Sequence, residues 1–172
     1  KDVFVTDTYG ELIDRPLLYA KADTTSFQLG DKRFHIAVRS EIGHGNNTSV
    51  KIQPSIERIM KAIQSFSGFT ATGNDYHFLF YYIDASRLKG LFSTVGMGSA
   101  LEHKQSSVYY YGDHRYPDST FTHFNHIASH EYFHTISPLN LHSEKISSFS
   151  FPKPDMSRHL WLYEGVTDYL AS

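Results

Sequence analysis

Two histidines four residues apart, His130 and His134, with Glu131 directly after the first, constrain this chain more than any other feature. On a helix, residues four apart share a face one turn apart. Two imidazoles on that face can grip one divalent ion, each at about 2.0–2.1 Å for zinc. A carboxylate in the intervening turn is placed to take a proton from water held beside the ion. Ile127, Ala128, Tyr132, Phe133 and Ile136 give the same stretch an apolar side, so the spacing predicts a helix over Phe121–Ile136, stopped by Pro138.

The rest of the chain reads as an α+β or mixed α/β domain. Phe34–Arg39 and the nearly continuous apolar run His77–Ile83 are expected strands, the second a buried one. Pro54–Phe66 carries Ile56, Ile59, Met60 and Ile63 at helical spacing and is punctuated by Gly68 and then by Gly73–Asn74–Asp75. Thr94–His103 and Ser106–Tyr111 read as two more strands, Gly112–Thr120 and Asn140–Ser157 as loops, and Arg158–Ala171 as a second helix. Tyr81–Tyr82 and Tyr109–Tyr110–Tyr111 are expected on the surface and in the core of the sheet. The aromatic helix running into Ser172, with Lys1 rather than a methionine at the start, reads as part of a longer protein. An apolar face there is a candidate surface for dimerisation.

Composition removes several classes. The chain has 172 residues and a formal net charge of −2, with no block of like charge. A nucleic-acid footprint is therefore not expected, and basic residues are missing among the aromatics. Cysteine is absent, which excludes disulfides, thiolate zinc sites and cysteine nucleophiles together. No apolar run reaches the roughly 18 residues of a membrane span.

A catalytic zinc normally has three protein ligands and one open position. The pattern with a glycine three residues after the second histidine and a third histidine three further on fails, because Ser137 and Asn140 stand there. The second helix instead offers Glu164 and Asp168, four apart on one face. One can bind the ion while the other accepts the N–H of a ligand histidine. Trp161, Leu162, Val166, Tyr169 and Leu170 argue that this helix is largely buried, where acids need partners. His126–His130 is a rival i,i+4 pair without a following acid, and His142 is the runner-up third ligand.

His130–His134 (HEYFH), followed thirty residues later by Glu164 within LWLYEGVTDY, resembles the glycyl aminopeptidase family of gluzincin zinc peptidases. Gly98–Ser99–Ala100–Leu101–Glu102–His103 resembles that family's G-G-L-E-H stretch, and the three motifs stand in the expected order. The resemblance covers Tyr76–Ser172. It implies a thermolysin-like fold, a mixed or antiparallel sheet packed on the two helices, and a single zinc-peptidase catalytic domain. It also implies His130, His134 and Glu164 as ligands of one Zn²⁺ per chain, Glu131 as general base and Asp168 as the acid orienting His130. Glu102 would hold the free α-amino group of a peptide substrate, and the backbone of Gly98, Ser99 and Ala100, with Gly96 nearby, would pair with the peptide. His103 is open between a supporting role and the mere end of the motif.

The implied activity is removal of a small N-terminal residue, glycine or alanine, from peptides with a free N-terminus. The cell envelope is the favoured compartment, with the cytoplasm open. In two respects the chain departs from the family. Ser137–Pro138–Leu139–Asn140–Leu141–His142 replaces a basic segment. Relatives also continue into a helical domain and often a PDZ-like domain, which would supply the electrophilic donor, so the isolated segment is expected to bind zinc but turn over poorly. Two other readings stay open: a zinc endopeptidase on the same site, and a peptide-binding module whose metal is structural or absent. Oligomeric state is open as well.

Overall fold

A computed structural model describes residues 3–43, 48–68, 73–84, 86, 98–113, 120–144, 153 and 157–172. The elements are α1 (Tyr9–Asp14), β1 (Asp23–Leu29), β2 (Lys32–Ser40), α2 (Thr48–Ser67), β3 (Asp75–Asp84), β4 (Ser99–His103), β5 (Ser106–Asp113), α3 (Thr120–Phe133) and α4 (Leu160–Ala171). The five strands form one mixed sheet in the order β1-β2-β3-β5-β4. β1–β2 and β4–β5 are antiparallel, while β2–β3 and β3–β5 are parallel. This is the expected mixed sheet with helices, and it leaves β4 on one edge.

Alternation along the strands decides which face is covered. Phe34, Ile36 and Val38 of β2, Tyr76, Phe78 and Phe80 of β3, and Tyr109 and Tyr111 of β5 are buried. They meet Ile52, Ile56, Met60 and Ile63 of α2 and Phe124, Ala128 and Tyr132 of α3 in one cluster. Aromatic stacking knits that cluster together: Phe80 lies 4.5 Å from Tyr109, and Phe124 stands edge-on to Tyr111 at 4.7 Å. On the opposite face Tyr110 is exposed and Tyr81 half-buried, so the tyrosine runs divide between core and surface as expected. Burying rings of this size is the largest favourable contribution available to such a sheet.

Several local expectations are corrected. β1 and α1 carry weak apolar patterns and are absent from the sequence reading. β1 buries only Phe27, and α1 buries nothing. α2 begins at Thr48 rather than Pro54, which lies inside the helix. Asp23 of β1 explains the earlier start, because its carboxylate accepts from the Ser49 N–H at 2.9 Å and from the Ser49 hydroxyl at 3.0 Å. A helix N-terminus has free N–H groups that need such a partner. Within the stretch read as the strand Thr94–His103, the described strand is Ser99–His103. Gly96, and most of both expected loops, lie outside the described residues. Among the described residues no helix is long and apolar enough to cross a membrane.

The largest correction concerns α4. Trp161 is 71% exposed and Tyr169 79%, and Leu162 and Val166 are also exposed. Only Tyr163 and Thr167 are buried, with Leu170 packed partly against the core. Apolar residues here surround the helix, whereas α3 covers one side of it. The apolar content of α4 therefore did not imply burial.

Candidate metal centre

α3 seats its chemistry on the core. Ala128, Tyr132 and Phe133 bury one side of the helix and turn His130 toward α4. Regular α-helix ends at Phe133, yet the His134 N–H still donates to the His130 carbonyl at 3.2 Å, so the last turn keeps both imidazoles on one face. The chain then tightens. His134 Nδ1–H donates to the Ser137 carbonyl at 2.9 Å, and Asn140 donates its side-chain amide to the Thr135 carbonyl. The bond to Ser137 fixes the His134 tautomer and leaves Nε2 as its lone-pair nitrogen. Nothing in the spacing announced it.

Three donor atoms converge. His130 Nε2 lies 3.1 Å from His134 Nε2 and 3.2 Å from Glu164 Oε2, and His134 Nε2 lies 3.5 Å from Glu164 Oε2. A tetrahedral ion with about 2.0–2.1 Å bonds separates its ligands by about 3.3 Å. The observed edges bracket that value, so the three residues form a cluster able to hold a small metal ion. Burial, followed by the proximity of His134, lowers the pKa of His130 against the opposing pull of Glu164. The neutral imidazole this favours is the form that binds metal.

Glu131 is 7% exposed, and its carboxylate has no hydrogen bond or ion pair among the described residues. Burial, then the charges of Glu102 and Glu164, push its pKa up to about 8. Its ionised form is disfavoured there unless a positive charge stands beside it. Glu102, on β4, contributes an oxygen to a second group with Glu131 and His134, whose donor atoms all lie within 4.8 Å of one another.

Asp168 faces two histidines. Its Oδ1 is 3.8 Å from His130 Nδ1 and 3.5 Å from His126 Nε2. The nitrogen of His130 turned toward Asp168 is thus not the one turned toward Glu164. His126 pairs with the acid rather than entering the three-donor cluster. His142 donates to the Pro138 carbonyl at 2.8 Å and is likewise outside it. Thr167 was not singled out from the sequence, although it is fully buried with its hydroxyl 3.5 Å from His130 Nε2. Only its position one turn after Glu164 could have pointed to it.

On the sheet side, Gly98, Ser99 and Ala100 lead into Glu102 along the edge strand, and β4 pairs through its other edge with β5. Gly98 has φ +131°, and a Cβ there would come within 2.3 Å of the Tyr111 ring and 2.6 Å of the Tyr110 carbonyl. Packing against β5 therefore already requires this glycine. His103 is tied down from the other direction: Asp14 of α1 lies 3.4 Å from its Nδ1 and accepts from the Lys104 N–H at 3.2 Å. The sequence did carry a signal for α1. Thr8 followed by Glu11 is the start of a capping box, and Thr8 Oγ1 accepts from the Glu11 N–H at 3.1 Å.

Residues 123–172 match the family model described as M61 glycyl aminopeptidase. Among curated proteins no relative matches. The fold is similar to the crystal structure of an aminopeptidase N family protein from Idiomarina loihiensis, with a TM-score of 0.76 at 21% identity over 96% of this chain. The chain spans only 27% of the length of that protein. The matched segment holds His130, Glu131, His134, Glu164 and Asp168, so the likeness to that family model rests on the stretch that carries the donor cluster.

Proposed function

We propose that this chain is the metal-bearing part of a zinc-dependent aminopeptidase with a thermolysin-like arrangement of its two site helices. The observation that carries the reading is the triangle His130, His134 and Glu164, with edges of 3.1, 3.2 and 3.5 Å, and beside it a buried Glu131 that has no partner among the described residues. Two imidazoles and a carboxylate suit zinc, and the set leaves a fourth position open. Zinc bound there would acidify the attacking water and polarise the scissile carbonyl.

The chain's own residues supply the proton traffic. Glu131 takes a proton from the attacking water and returns it to the leaving amine. With no cation nearby its raised pKa keeps it protonated at neutral pH, so the base becomes competent only when positive charge is installed beside it. Asp168 holds the Nδ1 side of His130, which keeps Nε2 turned into the triangle. Glu102 stands at the end of an edge strand and offers a counter-charge to a substrate ammonium. Among the described residues the outer edge of β4 from Ser99 to His103 has no strand beside it, and that edge offers an extended peptide a partner for its main chain. This reading makes the cleavage amino-terminal, with a small first residue preferred.

The test is hydrolysis of free and N-acetylated glycyl and alanyl peptides by the intact protein and by its Glu131→Gln and Glu102→Ala variants. The expected result is turnover of free peptides only, abolished by Glu131→Gln with zinc retained, and reduced selectivity against acetylation in Glu102→Ala. Equal cleavage of acetylated peptides by the unaltered protein would favour the endopeptidase reading. Zinc retention without any turnover would favour a binding module.

A further inference from the structure

The triangle does not exhaust the donors at this site. Glu102, Glu131 and His134 form a second group whose donor atoms lie within 4.8 Å of one another. Two carboxylates this close repel unless a proton or a cation lies between them. Neither Glu102 nor Glu131 has a hydrogen bond or ion pair among the described residues, and Glu131 is more than nine-tenths buried. The Tyr76 hydroxyl is fully buried without a hydrogen-bond partner among the described residues, and Glu131 and Glu102 are among the acids near it. An uncompensated, partly dry pair of acids beside a lone-pair imidazole nitrogen is a cation site by its chemistry.

We propose that Glu102, Glu131 and His134 form an alternative position for a divalent cation, one that competes with the His130–His134–Glu164 position. The competition follows from His134. Its Nδ1 is committed to the Ser137 carbonyl, so only Nε2 is available, and one lone pair serves one ion. The two positions differ in donor character. The first offers two nitrogens and one oxygen, the second one nitrogen and two oxygens, so moving between them trades an imidazole for a carboxylate. An ion in the second position engages Glu131, the proposed base, and Glu102, the proposed ammonium partner. It therefore shuts the reaction down while remaining bound. This regulatory role rests on the aminopeptidase reading; the existence of the second position does not.

Zn²⁺ titration of the metal-free protein by calorimetry tests the proposal, using wild type, Glu164→Gln, Glu102→Gln and the double variant. Glu102 is half-buried and Glu164 exposed, and glutamine preserves their shape. Circular dichroism verifies that each variant keeps the fold. The expected result is that Glu164→Gln still binds one ion, now through the second position, and that adding Glu102→Gln weakens binding by a further tenfold or more, on the order expected when a metal loses a ligand interaction. In the wild-type background Glu102→Gln should change affinity less than about twofold. A visible-region titration with Co²⁺ should show the spectrum shifting between Glu164→Gln and wild type. If Glu102→Gln leaves zinc affinity in the Glu164→Gln background unchanged, the second position does not exist. Failure of the three-donor reading shows separately, as a wild-type affinity that Glu164→Gln does not reduce.

Discussion

The two helices that face each other across the donor triangle are held in different ways. α3 lies on the aromatic core, with His134 side chain 3% exposed and Glu131 buried. α4 packs on the body through Tyr163, Thr167, Leu170 and Ala171, and its acids stand out, Glu164 side chain 50% exposed and Asp168 68%. Rigidity in a site comes from packing beneath its ligands. The histidine half is therefore built by folding, while the carboxylate half is positioned by a few contacts. Changes under α3 should cost stability and metal affinity together. Changes on the outer face of α4 should cost neither.

The largest expected effect is beneath α3. Phe124 is 4% exposed and meets Tyr111 edge-on, so Phe124→Ala should lower unfolding free energy by about 3–5 kcal/mol, measured by urea denaturation, and weaken zinc binding as well. The next is electrostatic. A carboxyl whose folded pKa is raised binds more protons folded than unfolded between about pH 4.5 and 8, so metal-free protein should lose stability as pH rises through that window. Glu131→Gln should flatten that slope and stabilise the metal-free protein by about a few kcal/mol at pH 8. An unchanged slope would remove Glu131 as its source.

Smaller effects sharpen the contrast. Tyr163 accepts from the Ser143 N–H at 2.8 Å, one of the few ties on α4. Tyr163→Phe should cost about 0.5–1.5 kcal/mol and weaken zinc binding a few-fold through Glu164. At the end of β4, Asp14 has a lowered pKa, chiefly from its hydrogen bond to His103. Its contribution is present above the ordinary carboxylate range and lost as pH falls below it. Because Asp14 is partly exposed, Asp14→Asn should cost less than about 1 kcal/mol at neutral pH and nothing in acid. Smallest of all, Trp161→Ala should stay within about 0.5 kcal/mol with zinc affinity unchanged. A large loss there would mean that α4 is seated more firmly than its exposure suggests.

What the sequence revealed follows the same division. The strand His77–Ile83 was legible from its apolar run, although it buries one face rather than both, and the helix carrying His130 was legible from its spacing, although it ends at Phe133 rather than Ile136. β1 was not, since one buried phenylalanine among polar residues leaves no alternation to read. The start of α2 was set by Asp23, twenty-six residues away in the chain, and no local pattern encodes a partner at that distance. In the site, spacing pointed to Glu164 and Asp168 but could not say that Asp168 sits between His126 and His130. The burial expected of α4 failed because hydrophobic content records what a helix could cover, while exposure records what covers it.

Zinc content, measured by elemental analysis after reconstitution of the metal-free protein, bears most directly on the central claim, with wild type compared to His130→Ala and Glu164→Ala. The account expects one zinc per chain in wild type, bound more weakly in both His130→Ala and Glu164→Ala at unchanged fold. No zinc in wild type, or full zinc in both variants, would contradict it.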